Sequence, residues 1–568
     1  MLFWRTVRHL RPIQVYGRLR HQLPVFPPPF RAAPPRRSPV DAWVPPARRP
    51  PSMTGPRSLL LLNEAHDLDV IGWDDNSLPA LWRYHQHYFQ DLTAFDAHER
   101  RDWHRDLLMR WVRENPPGPG TAWAPYPTSL RIVNWIKWAM AGNELPTECL
   151  DSLAQQARML RRRVEWHLLG NHLLANAKAL IFVGLFFADS ESSRWLDIGR
   201  RIASSQLPEQ ILGDGGHFEL SPMYHAIVLE DVLDLVNVLS AFGGIRGSFG
   251  HELLNRLRTI VGPMQAWLAA MSHPDGEIAF FNDAALGAAC PPAELARYAR
   301  ELNVGAECRS PPECTLLDSS GYVRVRHQEL VAILDVARIG PDYLPGHAHA
   351  DTLSFEASLD GMRLLVNSGT SLYGPSDERL RQRRTAAHNT VTLDDTDSSE
   401  VWSGFRVARR ARPFGLTVRP EGEQKLVTCS HDGFMRLCGR PVHTRTWRFL
   451  DRQLSVEDEI VGPGVARSYW HWHPDVQVTQ GRCDERDAVF ITMPSGRRAH
   501  ATAEGMALRT VPSTWHPEFG KAVASCMTIG TFHAPKASLL LNWDELRATC
   551  PSPTAARPAS AGGQIGED

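Results

Sequence analysis

No uninterrupted apolar run of bilayer length occurs in these 568 residues, so a transmembrane helix is not expected. Cysteine is sparse and badly spaced. The nine (149, 290, 308, 314, 429, 438, 483, 526 and 550) are odd in number and form no Cys-x-x-Cys pair, which argues against both a zinc–thiolate module and a disulfide framework. Excess charge is missing too: 62 Lys and Arg stand against 63 Asp and Glu, so nothing pulls the whole molecule towards nucleic acid, and an acidic ligand needs a local basic patch. The N-terminus lacks the apolar core of a secretion signal. Met1 to Leu23 instead interleave Arg5, Arg8, Arg11, Arg18 and Arg20 with apolar residues. That segment suits either packing on its own protein or lying on an anionic membrane surface. A cytoplasmic or membrane-associated location is expected, with a periplasmic one left open.

What is abundant is tryptophan (18) and histidine (24), a combination suited to a cleft that stacks on sugar rings, although core packing accounts for tryptophan equally well. The length implies two large domains plus tails. Residues 1–60 form a basic arm and a connector whose Pro27-Pro28-Pro29, Pro34-Pro35 and Pro50-Pro51 exclude regular helix. Over 61–312 apolar residues recur at helical spacing (79–90, 102–114, 128–141, 148–168, 172–187, 222–241 and 251–271), predicting antiparallel helical pairs. Over 313–548 the period becomes two, as in Tyr322-Val323-Arg324-Val325-Arg326 and Leu330-Val331-Ala332-Ile333-Leu334, which predicts a large antiparallel β-sandwich. Residues 549–568 read as a disordered tail. The expected class is multidomain α+β.

Four clusters carry candidate chemistry. Asn171-His172 interrupts an apolar run at a helix boundary; Asn171 either caps the helix or, with the imidazole, binds a substrate carboxylate. Ser221-Pro222 reads as an N-cap and first helical residue, placing Tyr224 near free N–H groups that favour a phenolate, unless it merely packs there. In Gly346-His347-Ala348-His349-Ala350-Asp351, two imidazoles and a carboxylate separated only by small residues are hard to explain as core filling. Tyr373, then Arg379, Arg381, Arg383 and Arg384 before His388-Asn389, form either a solvated face or an anion clamp.

At these clusters the chain resembles the heparinase II/III family of polysaccharide lyases. Leu81 to Phe89, Tyr126-Pro127-Thr128-Ser129-Leu130-Arg131, Asn134-Trp135 and His273-Pro274-Asp275-Gly276 resemble it too. The resemblance implies an N-terminal (α/α) toroid, a C-terminal antiparallel β-sandwich and β-elimination of a uronic-acid-containing polysaccharide: the C5 proton is removed and the C4 oxygen leaves. It further implies that Asn171 and His172 bind the carboxylate and that Tyr224 acts as acid and as candidate base. His347 becomes the second proton-transfer residue and His388 a helper. Tyr84, His87, His225, Tyr373 and Arg384 are implied substrate contacts. No cofactor is required, although relatives often carry a structural zinc, which here would fall on His349, Asn367 and His388. Asn367 departs from the carboxylate expected there, and an amide is a poorer ligand. The partner expected is an acidic polysaccharide, not nucleic acid. The alternatives are a glycoside hydrolase, with Asp214, Glu219, Asp275 and Glu277 as candidate carboxylates, and a non-catalytic or processing protein of capsule or exopolysaccharide biosynthesis.

Overall fold

The computed structural model describes residues 1–23, 26–243, 248–305, 310–421, 424–533 and 535–544; the tail expected over 549–568 lies outside them. It is an (α/α) toroid joined to an antiparallel β-sandwich. Helices Pro125–Met140, Thr147–Arg162, Gly170–Phe186, Ser190–Gln210, Pro222–Ala241 and Ser248–Ala270 form most of the toroid. Two helices, Ser190–Gln210 and Pro292–Glu301, had no counterpart in the periodicity. The first opens on Ser190-Glu191-Ser192-Ser193-Arg194 and contains Pro208, which hide its apolar stripe. It forms because Asp189 caps it, accepting the Ser192 N–H at 2.6 Å, and because Trp195, Leu196, Ile202 and Leu207 are buried. Gly199 lets it press on its neighbour: a Cβ there would lie 2.7 Å from the Ala177 carbonyl oxygen.

The sandwich holds two antiparallel sheets. One runs, in spatial order, Pro413–Glu421, Gln424–His431, Val442–Leu450, Gln453–Val461, Lys536–Trp543, Arg498–Glu504, Arg486–Thr492 and Gln477–Cys483. The other contains Ala507–Trp515, Val523–Phe532, Ala466–Trp472, Met362–Leu365, Phe355–Leu359, Leu330–Asp335, Tyr322–His327 and Cys314–Leu317, with Val391–Leu393 paired beside Ala466–Trp472. Between them lie Phe355, Trp447, Trp470 and Trp472, each worth about 1.5–3 kcal/mol when buried.

Toroid and sandwich share a third core, in which Leu220, Trp267 and Phe281 meet Leu317, Tyr322 and Ile333. Two hydrogen bonds cross it: Tyr322 Oη donates to the Leu220 carbonyl at 2.7 Å and Trp267 Nε1 to Ser320 Oγ at 2.9 Å. The segment after Ile333 therefore leaves the sheet already docked on the toroid, which is what places the His347 loop.

Inside the sandwich, Arg445 grips Asp458 through Nε at 2.7 Å and Nη2 at 2.9 Å, while its Nη1 reaches the Leu353 carbonyl at 2.9 Å. His443 Nε2 joins the same carboxylate at 2.8 Å, and all three side chains are buried. Burial alone would raise the Asp458 carboxyl, but Arg445 and His443 hold it far below its ordinary range. Asp458→Ala strands a buried guanidinium and should cost about 3–5 kcal/mol. Urea unfolding at pH 7 checks this; a loss below about 1 kcal/mol would show that the pair carries no stability.

Candidate active site

The first element of the site is a helix start held by a carboxylate. Leu169 and Gly170 take positive φ (61° and 53°), turning the chain sharply before Gly170–Phe186. Glu219 then fills the helix end: its Oε1 accepts the Asn171 backbone N–H at 3.2 Å and the Asn171 Nδ2–H at 3.0 Å. A Cβ on Gly170 would sit 2.6 Å from that same oxygen, so only glycine admits Glu219. Asn171 Oδ1 remains buried without a partner. His172 sits partly exposed beside it, 3.4 Å from Glu165 Oε1, with its ring 4.4 Å from that of Tyr126. Burial alone would lower its imidazole, but the charge and hydrogen bond of Glu165 and the charge of Glu219 raise it above its ordinary value.

The second element is the start of Pro222–Ala241. Ser221 accepts the Tyr224 N–H at 3.2 Å and donates to the Asp283 carbonyl. Tyr224 Oη meets Tyr373 Oη at 3.0 Å. Burial, then the charges of Tyr373 and Asp283, lifts the Tyr224 phenol well above its ordinary value. The helix-start environment therefore does not yield a resting phenolate. Tyr224 holds its proton because burial and the neighbouring Tyr373 and Asp283 disfavour the phenolate.

The third element joins the two domains. Asp283, on the toroid side, is fully buried. Its carboxylate takes His347 Nδ1 at 2.8 Å, His349 Nε2 at 2.9 Å and a two-pronged guanidinium from Arg379, with Nη2 to Oδ2 at 2.7 Å. Its backbone N–H donates to the His347 carbonyl at 2.9 Å, and the preceding Asn282 accepts the His349 N–H at 3.0 Å. Burial alone would raise the Asp283 carboxyl, yet Arg379 and the two histidines hold it well below the ordinary carboxylate range. His347 is thereby aimed at the cleft. Its ring lies 3.9 Å from that of Tyr224, its Nε2 is 3.5 Å from Glu219 Oε2, and its side chain keeps 14% exposure.

The structure thus brings Asn171, His172, Tyr224, His347 and Tyr373 together around Glu219 and Asp283. Other expected residues do not join them as proposed. His225 is fully buried, its Nδ1 accepting from the His217 N–H and its Nε2 on the Met264 carbonyl at 2.9 Å. His87 is equally buried between Trp111 Nε1 and Thr121 Oγ1. Both are corrected from substrate contacts to structural residues, because neither ring has a nitrogen to offer. Tyr84 is half-buried near Glu165, which together with burial raises its phenol. Arg384 points outward towards Asp397 at 3.7 Å. His388 is buried behind the cleft, with Nδ1 on the Arg384 carbonyl at 2.8 Å and Nε2 3.0 Å from His349 Nδ1, so it supports His349 and does not face the cleft.

The arginine cluster is not an anion clamp: Arg379 and Arg383 are fully buried, and Arg383 donates to the Ala348 carbonyl at 2.9 Å. Asp351 is buried as well, accepting the Asn282 N–H at 3.1 Å. The proposed metal set fails at Asn367, whose Nδ2 donates to the Phe280 carbonyl at 3.0 Å and whose Oδ1 accepts the Asn389 N–H at 3.1 Å. Both ends of that amide hold scaffold, and among the described residues no group of three His, Cys, Asp or Glu side chains is placed to hold a metal ion.

Asp283 carried no signal in the sequence, where Phe281-Asn282-Asp283-Ala284 shows neither motif nor periodicity. Glu219 stood only among the carboxylates of the hydrolase alternative.

Two family models match the chain, the heparinase II/III N-terminus over residues 81–300 and the heparinase II/III-like C-terminal domain over 309–548. The chain belongs to the heparinase II/III family of polysaccharide lyases. A heparin-sulfate lyase from Bacteroides stercoris is 26% identical over 485 residues, 76% of this chain and 69% of that protein. FtsZ-localized protein C from Caulobacter vibrioides is 26% identical over 419 residues, 68% of each chain. Among solved structures, a heparinase III shares the fold with a TM-score of 0.64 at 17% identity, covering 83% of this chain and 78% of that one. The heparinase II/III boundary between the two models falls where the helices end and the first sandwich strand, Cys314–Leu317, begins.

Asp283→Asn tests the linkage. Because its folded carboxyl lies below the unfolded value of about 3.9, Asp283 contributes stability that is fully present above that pH and is lost as pH falls towards the folded value. The variant should lose about 3 kcal/mol at pH 7, as Arg379 is left unpaired. In urea titrations between pH 7 and 2.5 its acid limb should be shallower than that of the parent; parallel curves would place the acid sensitivity elsewhere.

Proposed function

We propose that this lyase cleaves a uronic-acid-containing polysaccharide by β-elimination, with His347 as base and Tyr224 as acid. The observation that carries the reading is the close approach of these two side chains at the domain junction, their tilted rings 3.9 Å apart, His347 from the sandwich and Tyr224 from the toroid. Elimination needs three things: neutralisation of the uronate so that its C5 proton becomes acidic, a base for that proton, and an acid for the departing C4 oxygen.

His172, whose imidazole Glu165 and Glu219 raise above its ordinary value, lies at the cleft edge with the amide of Asn171 beside it, so these two receive the carboxylate. His347 donates through Nδ1 to Asp283, which leaves Nε2 with its lone pair to take the C5 proton. The imidazolium then formed lies between Asp283 and Glu219, two buried carboxylates that stabilise it. As the C5 electrons form the C4–C5 double bond and the C4–O bond breaks, Tyr224 gives its proton to the leaving oxygen. Tyr373, hydrogen-bonded to Tyr224, supports the phenolate until solvent reprotonates it.

Hydrolysis is less well supported. Of its four candidate carboxylates, Asp275 is paired with Arg363 at 2.6 Å, Asp214 caps the Gly216 and Ser320 turns, and Glu277 lies beside Asp275 rather than opposite Glu219. A non-catalytic or processing role in capsule or exopolysaccharide biosynthesis is the second reading.

A panel of uronic-acid polymers, followed by ultraviolet absorbance of the new double bond conjugated to the carboxylate, tests all three. The expected result is chain cleavage with matching absorbance. Cleavage without absorbance would mean hydrolysis, and no cleavage of any polymer would favour binding. Tyr224→Phe and His347→Ala should each lower turnover about 100-fold or more while circular dichroism stays unchanged. Near-parental turnover in either variant would remove that residue from the chemistry.

A further inference from the structure

The N-terminal arm is folded inside out. Helix Pro12–Gln22 buries Gln14 and Gly17 and turns its apolar residues to solvent: Val15 is 51% exposed, Tyr16 62% and Leu19 62%. Its attachment is polar or through backbone. Gln14 Nε2 donates to the Tyr343 carbonyl at 3.1 Å, and Gly17 sits so close to the chain that a Cβ would lie 2.8 Å from the His167 nitrogen. Helix Leu2–Val7 does the same. Thr6 accepts from Trp402 Nε1 at 3.1 Å and Arg5 pairs with Glu400 at 3.4 Å, while Phe3 and Trp4 point outward.

Among the described residues, twelve large hydrophobic side chains are exposed within residues 1–30 and ten in all the rest of the chain. A helix in water normally buries its apolar stripe, so this face is built to be covered by something else.

The charge of the face says what covers it. Residues 1–40 contain eight arginines (5, 8, 11, 18, 20, 31, 36 and 37) and no Asp or Glu. Among the described residues Arg8, Arg18 and Arg20 have no carboxylate within ion-pair distance, whereas the inward Arg5 and Arg11 pair with Glu400 and Glu209. A groove of about 460 Å³ continues the face onto the toroid, lined by Tyr16, Leu23 and Trp166 together with Arg20, Arg162 and Arg163. Exposed aromatic and aliphatic side chains interleaved with unpaired arginines match the boundary between acyl chains and anionic headgroups.

We propose that residues 1–30 form an interfacial anchor that seats this protein on an anionic lipid surface, with the arginine-lined groove receiving a headgroup. The arm bridges both domains, touching His167 in the toroid and Tyr343, Trp402 and Glu400 in the sandwich half of the chain. The whole catalytic body is thus carried at a set orientation to that surface. The inference does not depend on which polymer is cleaved.

The test is co-sedimentation of the full chain with vesicles of phosphatidylcholine alone and of phosphatidylcholine with one third phosphatidylglycerol. Binding is expected only with the anionic lipid and should weaken as salt rises from 50 to 300 mM. Trp4→Ser with Tyr16→Ser and Leu19→Ser, all exposed positions, should reduce binding about tenfold or more, as should Arg18→Glu with Arg20→Glu. Circular dichroism and polymer cleavage are expected to stay at parental levels in both variants. Absence of binding to anionic vesicles, or equal binding by parent and both variants, would overturn the proposal. So would self-association at micromolar concentration that the serine variant abolishes while no vesicle is bound, since the face would then belong to a second copy.

Discussion

The buried carboxylate of Asp283 is the constraint on which the site depends. It is a toroid residue that takes its positive charge and its hydrogen bonds from the other domain: Arg379, His347 and His349 all belong to the sandwich. A lone carboxylate at that depth would be untenable, and so would the guanidinium of Arg379. Each domain therefore completes the other. The same carboxylate that satisfies Arg379 fixes the ring of His347 with Nε2 facing the cleft, so the docking of two domains and the orientation of one imidazole are a single event.

Around that lock the cleft is built from two helix starts, each used differently. At Gly170–Phe186 the free N–H groups receive Glu219, which settles Asn171 and leaves a carboxylate facing His347. At Pro222–Ala241 the capping serine is tied to the Asp283 backbone, and Tyr224 stands one step inside, desolvated and protonated. The arginines after Tyr373, conspicuous in the chain as a charge run, hold the histidine loop from behind: Arg379 through Asp283 and Arg383 through the Ala348 carbonyl. The charge of these two is spent on architecture, whereas the side chains of Arg381 and Arg384 stay exposed.

Much of this was legible beforehand. The change from helical to two-residue periodicity near residue 312 separates the layers because amphipathic period is a local property. Asn171, His172 and His347 stand out because polar residues are set where their neighbours call for apolar or small ones, and Tyr224 because Ser221-Pro222 marks a helix start. Helix Ser190–Gln210 was missed because its burial depends on a partner helix, and its own polar start and Pro208 conceal the stripe. The family resemblance implied substrate contacts at His87 and His225, but a histidine sealed between two internal partners reads identically in a motif to one that faces a cleft. Asn367 was flagged as a poor ligand from its identity alone; that it holds Phe280 and Asn389 needed the fold.

By itself the sequence determined the class of fold and the family, since both rest on local pattern or on motifs carried in short segments. Tertiary structure decided which charges are paired, which rings are sealed and which proton is held. Asp283 gains its meaning from Arg379, 96 residues away, and Glu219 from Asn171 and His347. The reason is physical: desolvation and ion pairing act over a few ångströms of space, and separation along the chain carries no record of them.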